Sequence, residues 1–137
     1  MTTSGLPTRV AIALGSNLGD RQAHLAYAIE RLREFLTNVR VSSIHETAPE
    51  GVDGPQPDYL NAVVSGDTAL RPLALLQHLL AIERERGRTR PSLRASRTLD
   101  LDLILYGDEA IDTPELTVPH PRYKERKFVT EPLSEVW

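Results

Sequence analysis

The 137-residue chain contains no cysteine. Disulfide stapling, thiolate metal centres and cysteine nucleophiles are therefore excluded together. Lysine is nearly absent: of 16 basic residues, only Lys124 and Lys127 are lysines. Aromatic residues make up 5% of the chain, with one tryptophan, which is little for a surface that stacks on nucleic-acid bases. The formal net charge of −3 also opposes a general nucleic-acid binder, though it leaves room for a local basic loop. No apolar run approaches the length of a membrane span, and Met1 to Thr8 lacks a signal-peptide core, so a cytoplasmic setting is expected. There is no Ser-His-Asp pattern and no histidine pair at zinc spacing. Internal repeats and low-complexity segments are also missing. The length fits one domain over residues 1–137, large enough for a sizeable core, with residues 1–8 as a loose lead-in.

What the chain does have is the stretch Arg97-Thr98-Leu99-Asp100-Leu101-Asp102-Leu103-Ile104-Leu105-Tyr106-Gly107. Leucines at 99, 101, 103 and 105 keep a strict period of two, the signature of a half-buried strand. Alternation then sets Asp100 and Asp102 together on the other face, roughly 7 Å apart. Two carboxylates at that distance repel by roughly 2 kcal/mol at an effective dielectric near 20, so something cationic belongs over them. Magnesium takes one or two protein carboxylates and leaves its other positions to water and phosphate. A solvated face of an edge strand is the plain alternative.

Six arginines, Arg84, Arg86, Arg88, Arg90, Arg94 and Arg97, fall in the fourteen residues just before those aspartates. Guanidinium groups suit bidentate phosphate binding better than ammonium groups do. The scarcity of lysine elsewhere allows a coding bias instead, and Glu83-Arg84-Glu85-Arg86 also reads as a charged helix end. After Gly87 the acids stop. A cationic loop delivered beside a carboxylate pair is what a magnesium–nucleotide site requires.

The remaining elements follow from periodicity. Residues 9–15 read as a strand that ends in the turn-forming Gly15-Ser16-Asn17-Leu18-Gly19-Asp20. A helix is predicted over 20–36, with Leu25, Ile29, Leu32 and Leu36 along one stripe. Residues 39–46 alternate as a second strand, 47–58 form a Pro/Gly-rich loop, and 59–68 form a third strand. Pro72 suits the first turn of a second helix; Leu73, Leu76, Leu80 and Glu83 make its stripe, and Gly87 stops it. Beyond Gly107, Pro114, Pro119, Pro121 and Pro132 predict a hairpin-like or irregular segment without a helix. The order strand, helix, strand, strand, helix, strand predicts an α+β, ferredoxin-like βαββαβ fold. Its antiparallel sheet would carry both helices on one face, with the other face free for a ligand and the Asp-bearing strand in a central position.

On that free face Tyr59 and Asn61, two apart, could stack on and hydrogen-bond to a planar heterocycle; they are equally ordinary strand residues. His120 lies between two prolines that stiffen its backbone, with a functional and a structural role about evenly balanced. The glycine-rich turn lacks the lysine of a P-loop and the spacing of a dinucleotide fingerprint, so a helix cap is its better reading.

Taken together, Ala13-Leu14-Gly15-Ser16-Asn17-Leu18-Gly19-Asp20, Pro57-Asp58-Tyr59-Leu60-Asn61-Ala62, Ile82-Glu83 with Gly87-Arg88, Arg97 to Asp102, and Leu116-Thr117-Val118-Pro119-His120 resemble the 6-hydroxymethyl-7,8-dihydropterin pyrophosphokinase family of folate biosynthesis. The resemblance runs from about Val10 to Leu133. It implies transfer of pyrophosphate from ATP to the pterin hydroxymethyl group with release of AMP. It also implies that Asp100 and Asp102 hold two Mg²⁺ ions, and that Arg88, Arg97, His120 and Arg126 lie at the nucleotide phosphates. Arg90 falls in a catalytic loop, and Glu83 supports the nucleotide side. Thr47, Tyr59, Asn61 and Phe128 would hold the pterin. The implied partners are these small molecules, without nucleic acid or membrane. Known members carry a tryptophan and a Gly-Pro where this chain has Arg94-Ala95-Ser96. They also have proline where Ala48 stands, often an aromatic where Pro121 stands, and in many cases a further segment past the point matching Trp137. The alternatives are a catalytically silent pterin- or nucleotide-binding relative and a ferredoxin-like RNA-binding module.

Overall fold

The computed structural model describes residues 3–48, 56–87 and 98–137, with side chains from Pro7 onward in the first of these segments. Its strands are β1 (Thr3–Ser16), β2 (Thr37–Val41), β3 (His45–Thr47), β4 (Tyr59–Leu70), β5 (Asp100–Tyr106), β6 (Ile111–Asp112) and β7 (Thr117–Val118). Among the described residues three α-helices, α1 (Arg21–Leu32), α2 (Pro72–Glu85) and α3 (Lys127–Val136), and a short 3-10 turn at Tyr123–Glu125 complete an α+β architecture. β1 begins at Thr3, inside the segment expected as a lead-in. The main sheet runs β2-β4-β1-β5 with β3 also paired to β4, and every pairing is antiparallel. β6 and β7 form a small separate hairpin.

Local chemistry explains the helix boundaries. Asp20 caps α1 by accepting a hydrogen bond from the Ala23 N–H at 3.1 Å, satisfying one of the orphan donors of the first turn. α1 ends a turn earlier than the expected Leu36, which nevertheless stays buried. Pro72 opens α2, and Gly87 follows its end with φ +76°, a conformation glycine adopts without strain. The inward stripe of α2 is Leu75, Leu79, Ile82 and Glu83, whereas Leu73 is 47% exposed. Both leucine sets recur at helical spacing, so periodicity alone did not select the buried one.

Four further expectations are corrected. The predicted 39–46 strand is split into β2 and β3 around Ser42, whose hydroxyl accepts from the Val63 N–H at 2.8 Å. β5 lies at the end of the sheet order, not in its centre, because β1 sits between β4 and β5. Leu99, just before β5, and Leu101 and Leu103 on it enter the core with the helices, but a register shift opposite Ala11 and Ile12 turns Leu105 to the other face and brings Tyr106 in. A bulge of this kind inverts the alternation beyond it. Last, α3 forms where an irregular segment was expected, so α1 and α2 share one face as expected but the opposite face is not left free. α1 and α2 pack against Val10, Ile12, Leu14 and Val64, while Val129, Leu133 and Val136 of α3 pack on the opposite face against Ala11, Val63 and Ile104. Pro132 lies inside α3 and removes one backbone hydrogen bond; its own burial with that apolar stripe compensates.

Among the described residues, no helix is long and apolar enough to cross a membrane.

Candidate active site

The register of three neighbouring strands builds the site. Asn61 on β4 and Asp100 on β5 are both partners of Gly15 on β1; one step along, Val63 and Asp102 both partner Ala13. These residues share the sheet face on which α3 covers Ala11, Val63 and Ile104. Two strand spacings therefore separate Asn61 from Asp100, about 10 Å. The strand between them contributes only Gly15 and Ala13, so the floor is made of small residues.

At the β4 end, Thr47 pairs with Tyr59 and His45 with Asn61. The Asn61 side chain is 6% exposed, and its Nδ2 donates to Thr47 Oγ1 at 2.8 Å and to the His45 carbonyl at 3.1 Å. Those acceptors fix the amide so that its oxygen is turned the other way. A Cβ built on Gly15 would lie 3.6 Å from both Asn61 Oδ1 and the Tyr59 ring, so the amide oxygen and the aromatic converge over Gly15. Phe128, second residue of α3, is half-buried against the same layer, and the Arg126 guanidinium carbon lies 5.7 Å from its ring centre. α3 is itself pinned to this end. Glu135 accepts from the Ser43 N–H at 2.7 Å, from the Ser43 hydroxyl at 2.8 Å, and lies 2.8 Å from His45 Nε2. The Ser43 amide foremost, then His45 and the Ser43 hydroxyl, lower the Glu135 carboxyl to about 2.

At the β5 end, Asp100 and Asp102 are half-buried on the edge strand. Between them the Leu101 N–H donates to Glu83 Oε2 at 2.8 Å, and Glu83 is only 3% exposed. Glu83, expected on the nucleotide side, thus fixes the strand that carries the aspartates. His120 donates its backbone N–H to the Ile104 carbonyl at 3.0 Å, which hangs it on the same strand. Its Nδ1 lies 2.9 Å from the Pro121 carbonyl. A carbonyl only accepts, so Nδ1 carries a proton and Nε2 is the nitrogen left for a ligand. Pro119, His120, Arg122, Tyr123, Lys124 and Glu125 line a concavity of about 340 Å³.

Arg88, Arg90 and Arg97 lie outside the described residues. Of the other predicted site residues, the structure gathers Thr47, Tyr59 and Asn61 at one end, and it sets Phe128 on the same sheet face against the cluster of Ala11, Val63 and Ile104. It places Asp100, Asp102, Glu83 and His120 on or against β5. Arg126 stands at the start of α3, against Phe128. No group of three or more metal-ligating side chains occurs among the described residues. A carboxylate pair on one face is nevertheless the donor set that magnesium uses when phosphate and water supply the rest, so Asp100 and Asp102 fit that ion. Local sequence reading missed Asn17, which is fully buried and whose Nδ2 donates to Gln56 Oε1 at 3.0 Å and to the Pro57 carbonyl at 3.3 Å. Its partners are 39 and 40 residues away, beyond any periodic signal.

Residues 11–137 match the family described as 7,8-dihydro-6-hydroxymethylpterin-pyrophosphokinase. The chain is 46% identical over 127 residues to the 2-amino-4-hydroxy-6-hydroxymethyldihydropteridine pyrophosphokinase of Bacillus subtilis, covering 91% of this chain and 75% of that protein. The protein of the same name from Haemophilus influenzae is 43% identical, with 91% and 79% covered. That of Aquifex aeolicus is 39% identical, with 93% and 79% covered.

Proposed function

Since the chain belongs to the 7,8-dihydro-6-hydroxymethylpterin-pyrophosphokinase family, we propose that it transfers pyrophosphate from ATP to the hydroxymethyl group of 6-hydroxymethyl-7,8-dihydropterin. The hydroxymethyl oxygen attacks the β-phosphorus, the bond from that phosphorus to the oxygen bridging it to the α-phosphate breaks, and AMP leaves. The hydroxyl proton passes to solvent. The single observation that carries this reading is the register Asn61–Gly15–Asp100. It supports a flat ring held at β4, beside phosphates held at β5, over a floor of small residues.

In this reading Asn61 Oδ1 accepts from the amino group of the pterin, while Tyr59 and Phe128 pack on its ring and Thr47 holds the Asn61 amide in register. Asp100 and Asp102 hold Mg²⁺, which supplies positive charge to the phosphate oxygens when bound. Glu83 keeps those aspartates in place through the Leu101 amide. His120, through Nε2, and Arg126 contact the nucleotide phosphates, joined by Arg88, Arg90 and Arg97 from outside the described residues. Transfer of this kind is governed by positioning and charge rather than by a covalent intermediate. The reading includes a ferredoxin-like βαββαβ core, supported by the strand order β2-β4-β1-β5 with α1 and α2 on one face. It also includes one domain over 1–137 and a cytosolic setting.

The test is AMP release from ATP with and without the dihydropterin, in Mg²⁺ and in EDTA. Pterin-dependent, EDTA-sensitive AMP is the expected result. A folded protein that binds both ligands and releases none is instead a catalytically silent relative.

A further inference from the structure

Arg21, the first residue of α1, reaches both sides of the connection between β3 and β4. Its Nη1 donates to the Asp58 carbonyl at 2.8 Å and to Glu46 Oε2 at 3.3 Å. Asp58 is the residue before Tyr59, and Glu46 the residue before Thr47; Thr47 and Tyr59 are themselves cross-strand partners. One guanidinium thus bridges the two chain ends that carry the ring-binding side chains. Asn17, four residues earlier, adds a parallel tie to Gln56 and Pro57. The Arg21 and Glu46 side chains are 31% and 55% exposed, and ion pairs in such positions contribute little to stability. A guanidinium hydrogen bond to a carbonyl is stronger and directional, and the two N–H groups of Nη1 supply one donor to each acceptor.

We propose that Arg21 is a positioning residue for the pterin end of the site. By holding the Asp58 carbonyl and Glu46 together it sets the spacing between Thr47 and Tyr59, and so the width of the slot that receives the ring. It touches neither substrate. The inference rests on the pterin-binding reading of Thr47, Tyr59 and Asn61.

The experiment is an equilibrium titration of 6-hydroxymethyl-7,8-dihydropterin, followed by its fluorescence, into the wild-type chain, Arg21→Ala, Arg21→Lys and Glu46→Gln. The KM for ATP and the melting temperature are measured on the same proteins. Arg21→Ala is expected to weaken pterin binding about tenfold, the value of one charge-assisted hydrogen bond at the low end. Arg21→Lys should recover part of that loss. Glu46→Gln should lose about twofold, because the shorter contact to the Asp58 carbonyl remains. The KM for ATP should hardly move, and the melting temperature should fall by only a few degrees, about what one partly exposed hydrogen bond contributes. Equal pterin affinity in wild type and Arg21→Ala would overturn the inference alone, as would a matching loss of ATP affinity or a large fall in melting temperature, since those mark general loosening. Failure of the wild-type chain to bind the pterin would overturn the site reading and the inference with it.

Discussion

Removing the Glu83 carboxylate should loosen the fold and the β5 end of the site, where Mg²⁺ is proposed to bind, together. Glu83 Oε2 accepts the Leu101 N–H at 2.8 Å, Leu101 is itself buried, and the strand lies at the edge of the sheet. The carboxylate therefore does for β5 what a neighbouring strand would do on that side. A hydrogen bond to a charged group contributes about 1.5–3 kcal/mol, and a buried donor left without a partner costs about 1–3 kcal/mol. The two overlap, so Glu83→Ala should destabilise by about 2–4 kcal/mol, a large share of the ~5–15 kcal/mol that holds a domain together. For a chain of this length the corresponding fall in Tm is about 8–15 °C. Glu83→Gln keeps an oxygen acceptor without its charge and should lose about 1 kcal/mol. Urea unfolding of the three proteins gives the stability difference from the midpoint at constant slope. In the folded Gln variant, the Mg²⁺ concentration for half-maximal turnover should rise severalfold, because Asp100 and Asp102 flank the amide whose anchor is weakened. An alanine variant within about 0.5 kcal/mol of wild type, the range of ordinary surface substitutions, would refute the reasoning.

Two other predictions concern the opposite end of the site and the behaviour in acid. Tyr59→Ala should weaken pterin affinity more than ATP affinity in parallel titrations; equal losses would count against the assignment of β4 to the ring. Glu135 and Glu85 both have carboxyls lowered to about 2, the first mainly by the Ser43 amide and the second mainly by Arg31. A lowered carboxyl stabilises the fold above its ordinary value and loses that contribution as pH falls through the folded value. Stability should therefore decline between about pH 4.5 and pH 2, and Glu135→Gln or Glu85→Gln should each flatten the decline in acid melts.

Much of the sheet was legible because alternation reports burial directly. Leu99, Leu101 and Leu103 against Asp100 and Asp102 gave both the strand and the face of the carboxylates, and Tyr59 with Asn61 gave the facing pair. Caps were equally local: Asp20, Pro72 and Gly87 mark the ends where the helices begin or stop. The failures share a physical cause, which is that the deciding interaction lies far away in the chain. Leu105 changes face through a bulge set by β1, and the leucine stripe of α2 is chosen by the sheet. α3 forms around Pro132 because its apolar side finds Ala11, Val63 and Ile104. The partners of Asn17 and Arg21 lie 25 to 40 residues away, where no periodicity reaches. Glu83 was legible on the stripe of α2, but its bond to the Leu101 amide was not, since an edge position for β5 is a property of the whole sheet.

The central claim is that the sheet face shared by Asn61, Gly15 and Asp100 is the reaction centre. The most direct measurement is the rate of AMP formation from ATP and 6-hydroxymethyl-7,8-dihydropterin in Mg²⁺, for wild type and Asp102→Ala side by side, with unfolding curves of both. The account predicts at least a hundredfold loss of turnover, roughly the value of one transition-state charge contact, with an unchanged fold. Turnover near the wild-type rate in a folded Asp102→Ala protein would contradict it.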